Sequence, residues 1–161
     1  MRLGLFMMPL HPSYRPIADC YDRDIDQLVL ADKLGFDEAW LGEHFTEKWE
    51  NAPSPDLLIA KALALTKRIR FGTGVTLLAM HEPVYLAHRV AMLDHLSRGR
   101  FNWGIGLAGI PTDMVLWDST RRRRAAARSK RSTWCSGFGK ATARIPIRAS
   151  SSASRRRNSI R

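Results

Sequence analysis

Apolar and polar positions along the N-terminal part of the chain change period several times, and each change marks an element. The apolar run from Leu3 to Met8 stops at Pro9, which predicts a short buried strand. Pro12, Ser13 and Pro16 then form a loop. Between Asp19 and Leu34 the apolar positions Tyr21, Ile25, Leu28 and Val29 recur at helical spacing with acids opposite, and Gly35 sits where a helix C′ residue belongs. Asp37 to Gly42 reads as a second strand, Glu43 to Pro55 as a polar loop, and Asp56 to Thr66 as an apolar helix. A third strand follows from Arg70 to Thr76. Pro83 opens a helix whose face carries Leu86, Val90, Leu93 and Ser97 and which Gly99 ends, and Arg100 to Gly106 is a fourth strand. Strands alternating with helices across short links predict right-handed parallel βαβ units, with strands apolar enough to be covered on both faces. An open doubly wound sheet and part of a (β/α)8 barrel both satisfy this pattern, and periodicity does not choose between them.

Charge changes the picture for the C-terminal part only. The formal net charge of +11 suggests a nucleic-acid or anionic-membrane partner until it is located. All the acidic residues lie at or before Asp118, whereas residues 119–161 hold basic residues and no Asp, Glu, Leu or Val. Two cysteines, Cys20 and Cys135, are too few for a disulfide scaffold and point to a reducing cytoplasm. Arg2 with Leu3–Met8 could pass for a very short signal peptide, but no small-residue cleavage site follows, and a first strand is the better reading. No apolar run approaches the roughly 20 residues of a membrane helix.

Candidate chemistry is concentrated at the predicted strand ends. Gly104 to Gly109 matches a G-x-G-x-x-G pattern after a strand, yet Pro111 is expected to break the first turn of the helix such a fingerprint needs, and no acid follows Asp118. Glu43-His44-Phe45 lies just past the C-terminal end of a strand, the edge that carries active sites in parallel α/β folds. A histidine there can move protons near neutral pH; the plain alternative is a loop histidine without chemistry. His81, His88 and His95 are spaced to share a helix face, but zinc ligands on a helix sit closer together, so solvated or packed positions are expected and no metal site. Gly72 and Gly74 inside a strand mark a close approach, by a ligand or by a packed neighbour. Met7, Met8, Trp40 and Trp103 read as core.

Together, Leu34 to Phe45, Ile69 to Gly74 and Leu93 to Phe101 resemble, in order and spacing, the luciferase-like flavin-dependent monooxygenase superfamily. Glu43 to Pro55, with Trp49 and Glu50, looks nearest the limonene monooxygenase branch. The resemblance covers residues 1 to 117 and implies the N-terminal half of a (β/α)8 TIM barrel, about four parallel strands with their helices. It implies reduced FMN, supplied by a separate flavin reductase, or in some branches F420, with O2 and a small apolar organic substrate. It places His44 as the pocket histidine assisting proton transfer. It places Gly74-Val75 at a non-prolyl cis peptide against the flavin ring, and Gly104 and Gly106 beneath the flavin. Where bacterial luciferase has an arginine for the flavin phosphate, this chain has Leu107, which cannot serve. The family often forms homo-oligomers.

Residues 118–161 depart from that pattern as an irregular basic tail, Arg121 to Arg124 leading into Ala, Ser and Arg. They read as out-of-frame translation. Loss of one G at the Trp117 codon would turn a supposed frame that continues Gly-Phe-Asp-Pro into the Trp117-Asp-Ser-Thr and arginine run found here. The same back-shift over Lys130 to Lys140 restores an apolar helical text. A flavin monooxygenase by family whose present chain is inactive is therefore expected. The alternatives are a flavin- or F420-dependent reductase or dehydrogenase on the same fold, a nucleic-acid-binding protein acting through the tail, and a non-catalytic interaction module.

Overall fold

A computed structural model describes residues 1–107 and 109–116, and the predicted basic tail lies outside them. Its elements are β1 (Gly4–Met7), α1 (Ile17–Leu34), β2 (Glu38–Leu41), α2 (Pro55–Leu65), β3 (Arg70–Thr73), β4 (Thr76–Leu77), a 3-10 turn (Leu78–Met80), α3 (Pro83–Ser97), β5 (Phe101–Asn102), β6 (Ile105–Gly106) and α4 (Pro111–Leu116). All strand pairs are parallel, in the order β1-β2-β3-β5, with β4 and β6 forming a separate pair. Strand order follows chain order without reversal, and α1, α2 and α3 contribute to one core on a single sheet face. A doubly wound sheet reverses at a switch point and carries helices on both faces; this arrangement is instead a wedge of a barrel.

The third and fourth strands each divide, where one continuous strand was expected. β3 and β4 are separated by Gly74-Val75, and β5 and β6 by Trp103-Gly104. The two breaks face each other. Gly104 N–H donates to Thr73 Oγ1 at 3.1 Å, Thr73 Oγ1 donates to Gly104 O at 2.9 Å, and Thr76 N–H donates to Gly104 O at 2.8 Å. A Cβ on Gly104 would stand 2.1 Å from Thr73 O, so only glycine lets the backbones approach this closely.

Register sorts the side chains into two faces. Leu5, Ala39, Phe71 and Phe101 form one row and Met7, Leu41 and Thr73 the next. Apart from Thr73, these residues belong to or pack on the cluster that includes Ile25, Leu28, Ile59, Ala62, Leu63 and Leu93 from the helices. The opposite face carries Glu38 and Arg70 in one row and Phe6, Trp40, Gly72 and Asn102 in the next. Coverage on both faces, the expectation from apolar content, therefore does not hold among the described residues. Phe6 on the edge strand β1 is 62% exposed, and Trp40, read as core, is half-buried on this second face. A barrel strand turns one side chain in two inward, so its apolar run does not mean two helix layers.

Helix ends are closed by residues from distant parts of the chain. Gly35, at φ 85°, ends α1 in a left-handed cap with N–H bonds returning to Asp32 O and Ala31 O. Asp32 then turns back: Oδ2 accepts from Lys67 N–H (3.0 Å) and Oδ1 from Arg68 (2.9 Å) and Ile69 (2.7 Å) N–H. Burial opposes ionisation of Asp32, but these three donors and the Arg68 charge outweigh it and hold its pKa below the usual carboxylate range. α2 has no left-handed cap; Arg100 instead donates to Leu63 O, Thr66 O and Ile69 O at 3.2–3.3 Å. Arg98, at φ 54°, caps α3 ahead of Gly99, at φ 79°, so the helix ends one residue before the expected glycine. Pro111 opens α4 rather than breaking it.

Candidate active site

The loop after β2 presents the candidate proton-transfer group. His44 lies past the C-terminal end of β2, and its backbone pairs with Ala52 in an isolated antiparallel bridge. The loop is anchored at several points. His11 N–H donates to Trp49 O at 2.7 Å and Tyr21 Oη–H to Asn51 O at 3.1 Å. His11 itself is buried against Asp24, with Nε2 2.8 Å from Oδ2. Burial raises the Asp24 pKa above the usual carboxylate range, against the opposing bond from His11.

Two buried carboxylates grip the residues either side of His44. Glu43 accepts Leu77 N–H on Oε2 and meets His81 Nε2 on Oε1, both at 2.6 Å. This ties the β2 loop to β4 and to the approach of α3. Asp113, from α4 and fully buried, accepts Thr46 N–H at 2.7 Å, Thr46 Oγ1–H at 2.6 Å and, at 3.4 Å, Phe45 N–H. The His44 ring sits between Glu50 Oε2, 3.5 Å from Nε2, and Asp113 Oδ2, 4.0 Å from Nδ1. His81 lies ahead of α3 and not on it, while His88 and His95 are exposed on the helix, so the spaced histidines do not share a site. Among the described residues no group of three or more His, Cys, Asp or Glu could hold a metal ion, and no helix is long and apolar enough to cross a membrane.

The glycines singled out in the sequence line the same strand-end edge. The Gly74-Val75 peptide is cis, at the break between β3 and β4. Their missing side chains leave room that other parts of this chain enter. A Cβ at Gly72 would meet the Trp40 ring at 2.4 Å, one at Gly74 would meet Phe6 Cε2 at 2.8 Å, and one at Gly106 would meet Val75 Cγ2 at 2.4 Å. The neighbours are thus side chains of the open face and of the strand break, rather than a covering helix. Phe6, Trp40 and Val75 thus give the strand ends around Gly72, Gly74 and Gly106 an apolar lining. Leu107, 55% exposed and uncharged, offers nothing to a phosphate.

The sequence singles out His44 and the glycines as candidates but not the contacts that Glu43, His81 and Asp113 make around the His44 loop. Glu43 was visible as the neighbour of His44, but its partners lie 34 and 38 residues away and Asp113 meets Thr46 across 67. No local period connects such positions.

Comparison with known proteins identifies the family. The profile described as "Luciferase-like monooxygenase" matches residues 1–131. The 4-hydroxyprotoasukamycin monooxygenase of Streptomyces nodosus subsp. asukaensis is 42% identical over 126 residues, 76% of this chain and 34% of that protein. Limonene 1,2-monooxygenase of Rhodococcus erythropolis is 38% identical over 110 residues, 68% of this chain and 28% of that protein. The oxygenating constituent of 3,6-diketocamphane monooxygenase from Pseudomonas putida, a type II Baeyer-Villiger monooxygenase solved in complex with FMN, superposes with a TM-score of 0.70. It is 29% identical, covering 81% of this chain and 40% of that one. The chain thus spans about a third of the length of the curated relatives it matches.

Proposed function

The chain belongs to the luciferase-like monooxygenase family, and on that premise we propose that it supplies the proton-transfer half of a site that oxidises a small apolar organic substrate with reduced FMN and O2. The observation that carries this reading is the placement of His44, past the end of β2, on the same strand-end edge as Gly74-Val75, where Leu41 and Thr73 are in register and Gly74 N–H donates to Leu41 O at 2.7 Å. Gly74, Val75, Gly104 and Gly106 would hold the ring of the flavin, which when bound supplies the electrons that activate O2. His44 would hold or deliver a proton beside it, fixed by the Glu43 and Asp113 contacts that flank it. A reductase would deliver the reduced flavin, as the description of one relative as an oxygenating constituent supports. Homo-oligomerisation and a cytoplasmic setting belong to the same proposal.

We further propose that the 161-residue chain does not turn over by itself. Among the described residues the four sequential strands leave one sheet face open, and the Leu107 side chain offers a flavin phosphate no charge. Residues 118–161 keep their reading as out-of-frame translation, which sequencing across the Trp117 codon tests: a fourth G supports it and a different local sequence overturns it. For the function, residues 1–116 should be grafted in place of the matching segment of limonene 1,2-monooxygenase. With reduced FMN supplied, the chimera is expected to oxygenate limonene and its His44→Gln variant to lose most of that rate. A folded chimera indifferent to His44→Gln would refute the role given to His44. The isolated chain is expected to bind FMN more weakly than micromolar, and micromolar retention would refute its inactivity.

A further inference from the structure

We propose that Asp113 is a positioning residue for His44: it holds the turn that carries the ring and keeps the ring proton on Nδ1, so that Nε2 is the nitrogen left to exchange protons. The proposal rests on the reading of His44 as the proton-transfer group. Two complementary vacancies in hydrogen bonding point to it. His44 Nδ1 is enclosed and has no hydrogen-bond partner, although buried polar atoms almost always have one. Asp113 is fully buried, and an ionised carboxylate offers about four acceptor positions. Its Oδ1 takes two donors from Thr46, while its Oδ2 takes only the long 3.4 Å bond from Phe45. The unused capacity of Oδ2 and the orphaned Nδ1 stand 4.0 Å apart, within a small tilt of the imidazole from a hydrogen bond. Because Asp113 also holds the backbone of Phe45 and Thr46, it controls both where the ring is and which tautomer it adopts.

Nε2 faces a different environment. The nearest carboxylate, Glu50 Oε2, stands 3.5 Å away with its side chain 33% exposed, so water rather than Glu50 can donate to Nε2. An Nδ1–H tautomer leaves the Nε2 lone pair on this accessible side, as a group that accepts and returns a proton requires.

The test is a long-range 1H–15N correlation spectrum of the uniformly 15N-labelled full chain at about pH 8, where an ordinary imidazole is neutral. The His44 signals are assigned by their loss in His44→Gln. The expected result is a protonated Nδ1 and a bare Nε2. In Asp113→Asn the retained Oδ1 can still accept from Thr46, but an amide group now faces Nδ1, so His44 is expected to switch to the Nε2–H tautomer. Glu50→Gln is expected to leave the tautomer unchanged, and it keeps the proposal open to refutation should Asp113→Asn not fold. A bare Nδ1 in the wild-type chain, an unchanged tautomer in folded Asp113→Asn, or a switch in Glu50→Gln would each overturn the proposal. None of these readings depends on flavin or turnover, so they separate this inference from the functional one. A tautomer set by Asp113 in a chimera whose oxygenation ignores His44 would sink the proposed function and leave the positioning intact.

Discussion

Removing the Asp32 carboxylate is expected to destabilise the chain by an amount its three acceptor bonds define. Asp32 lies at the end of α1 and receives the N–H groups of Lys67, Arg68 and Ile69, the turn that delivers β3 into the sheet. Lys67 and Arg68 are exposed, so in Asp32→Ala their N–H groups can turn to water. Ile69 is fully buried and its N–H cannot. Orphaning one buried donor costs about 1–3 kcal/mol and losing two solvent-reachable bonds about 0.5–1 kcal/mol each, together about 2–5 kcal/mol. Asp32→Asn keeps Oδ1, which serves Arg68 and Ile69, and loses only the Lys67 bond and the charge, so about 1–2 kcal/mol is expected. Equilibrium urea unfolding, with the midpoint read at constant m-value, measures both. Because the folded pKa of Asp32 lies below the unfolded one, its contribution is fully present above the ordinary value near 3.9 and is lost as pH falls through the lower folded value. The gap between wild type and Asp32→Ala should hold steady above about pH 5 and close only in strong acid. An alanine variant within about 0.5 kcal/mol of wild type, or an asparagine variant as costly as alanine, would refute the reasoning.

Arg100→Met should cost about 1–3 kcal/mol and speed hydrogen exchange in the last turn of α2, since Leu63 O and Thr66 O lose their shared donor; unchanged exchange there would count against the capping role. Gly104→Ala should cost about 1–3 kcal/mol or more, read by the same urea titration, because the added Cβ meets backbone and not a side chain that can move aside. Asp24 has a raised folded pKa, so its favourable term is present below the unfolded pKa and disappears as pH rises through the folded one. Asp24→Asn should therefore gain stability relative to wild type as the pH of the unfolding series rises from about 3.5 to 6.5, and a flat difference would show that burial does not govern this carboxyl.

Much of this protein is legible from local pattern. The helical spacing of Ile25, Leu28 and Val29, the glycine after α1 and the proline opening α3 are short-range signals, and these helices form within two residues of where they point, whereas α4 forms at Pro111, where a break was expected. The motifs around His44 and Ser97–Phe101 carry the family because each does a structural task at a fixed offset. Arg98 and Gly99 reverse the chain, Arg100 closes α2, and Phe101 enters the core.

What local pattern leaves open is anything decided by contacts between residues tens of positions apart. The choice between a doubly wound sheet and a barrel wedge rests on strand order, and an isolated βαβ repeat has the same period in both. Apolar content could not say which side of each strand the helices would cover; only pairing register turns Phe6 and Trp40 to the open face and Ala39 and Leu41 to the core. The breaks in the third and fourth strands come from the approach of Gly104 to Thr73, a contact between two strands and not a property of either. The same holds for the site. His44 is visible in the sequence as a histidine at a strand end, but the Asp113 and Glu43 contacts that fix its neighbours exist only once α4 and β4 have packed against the β2 loop. Secondary structure is set by interactions over a few residues and can be read along the chain, whereas a buried carboxylate finds its donors through the tertiary fold.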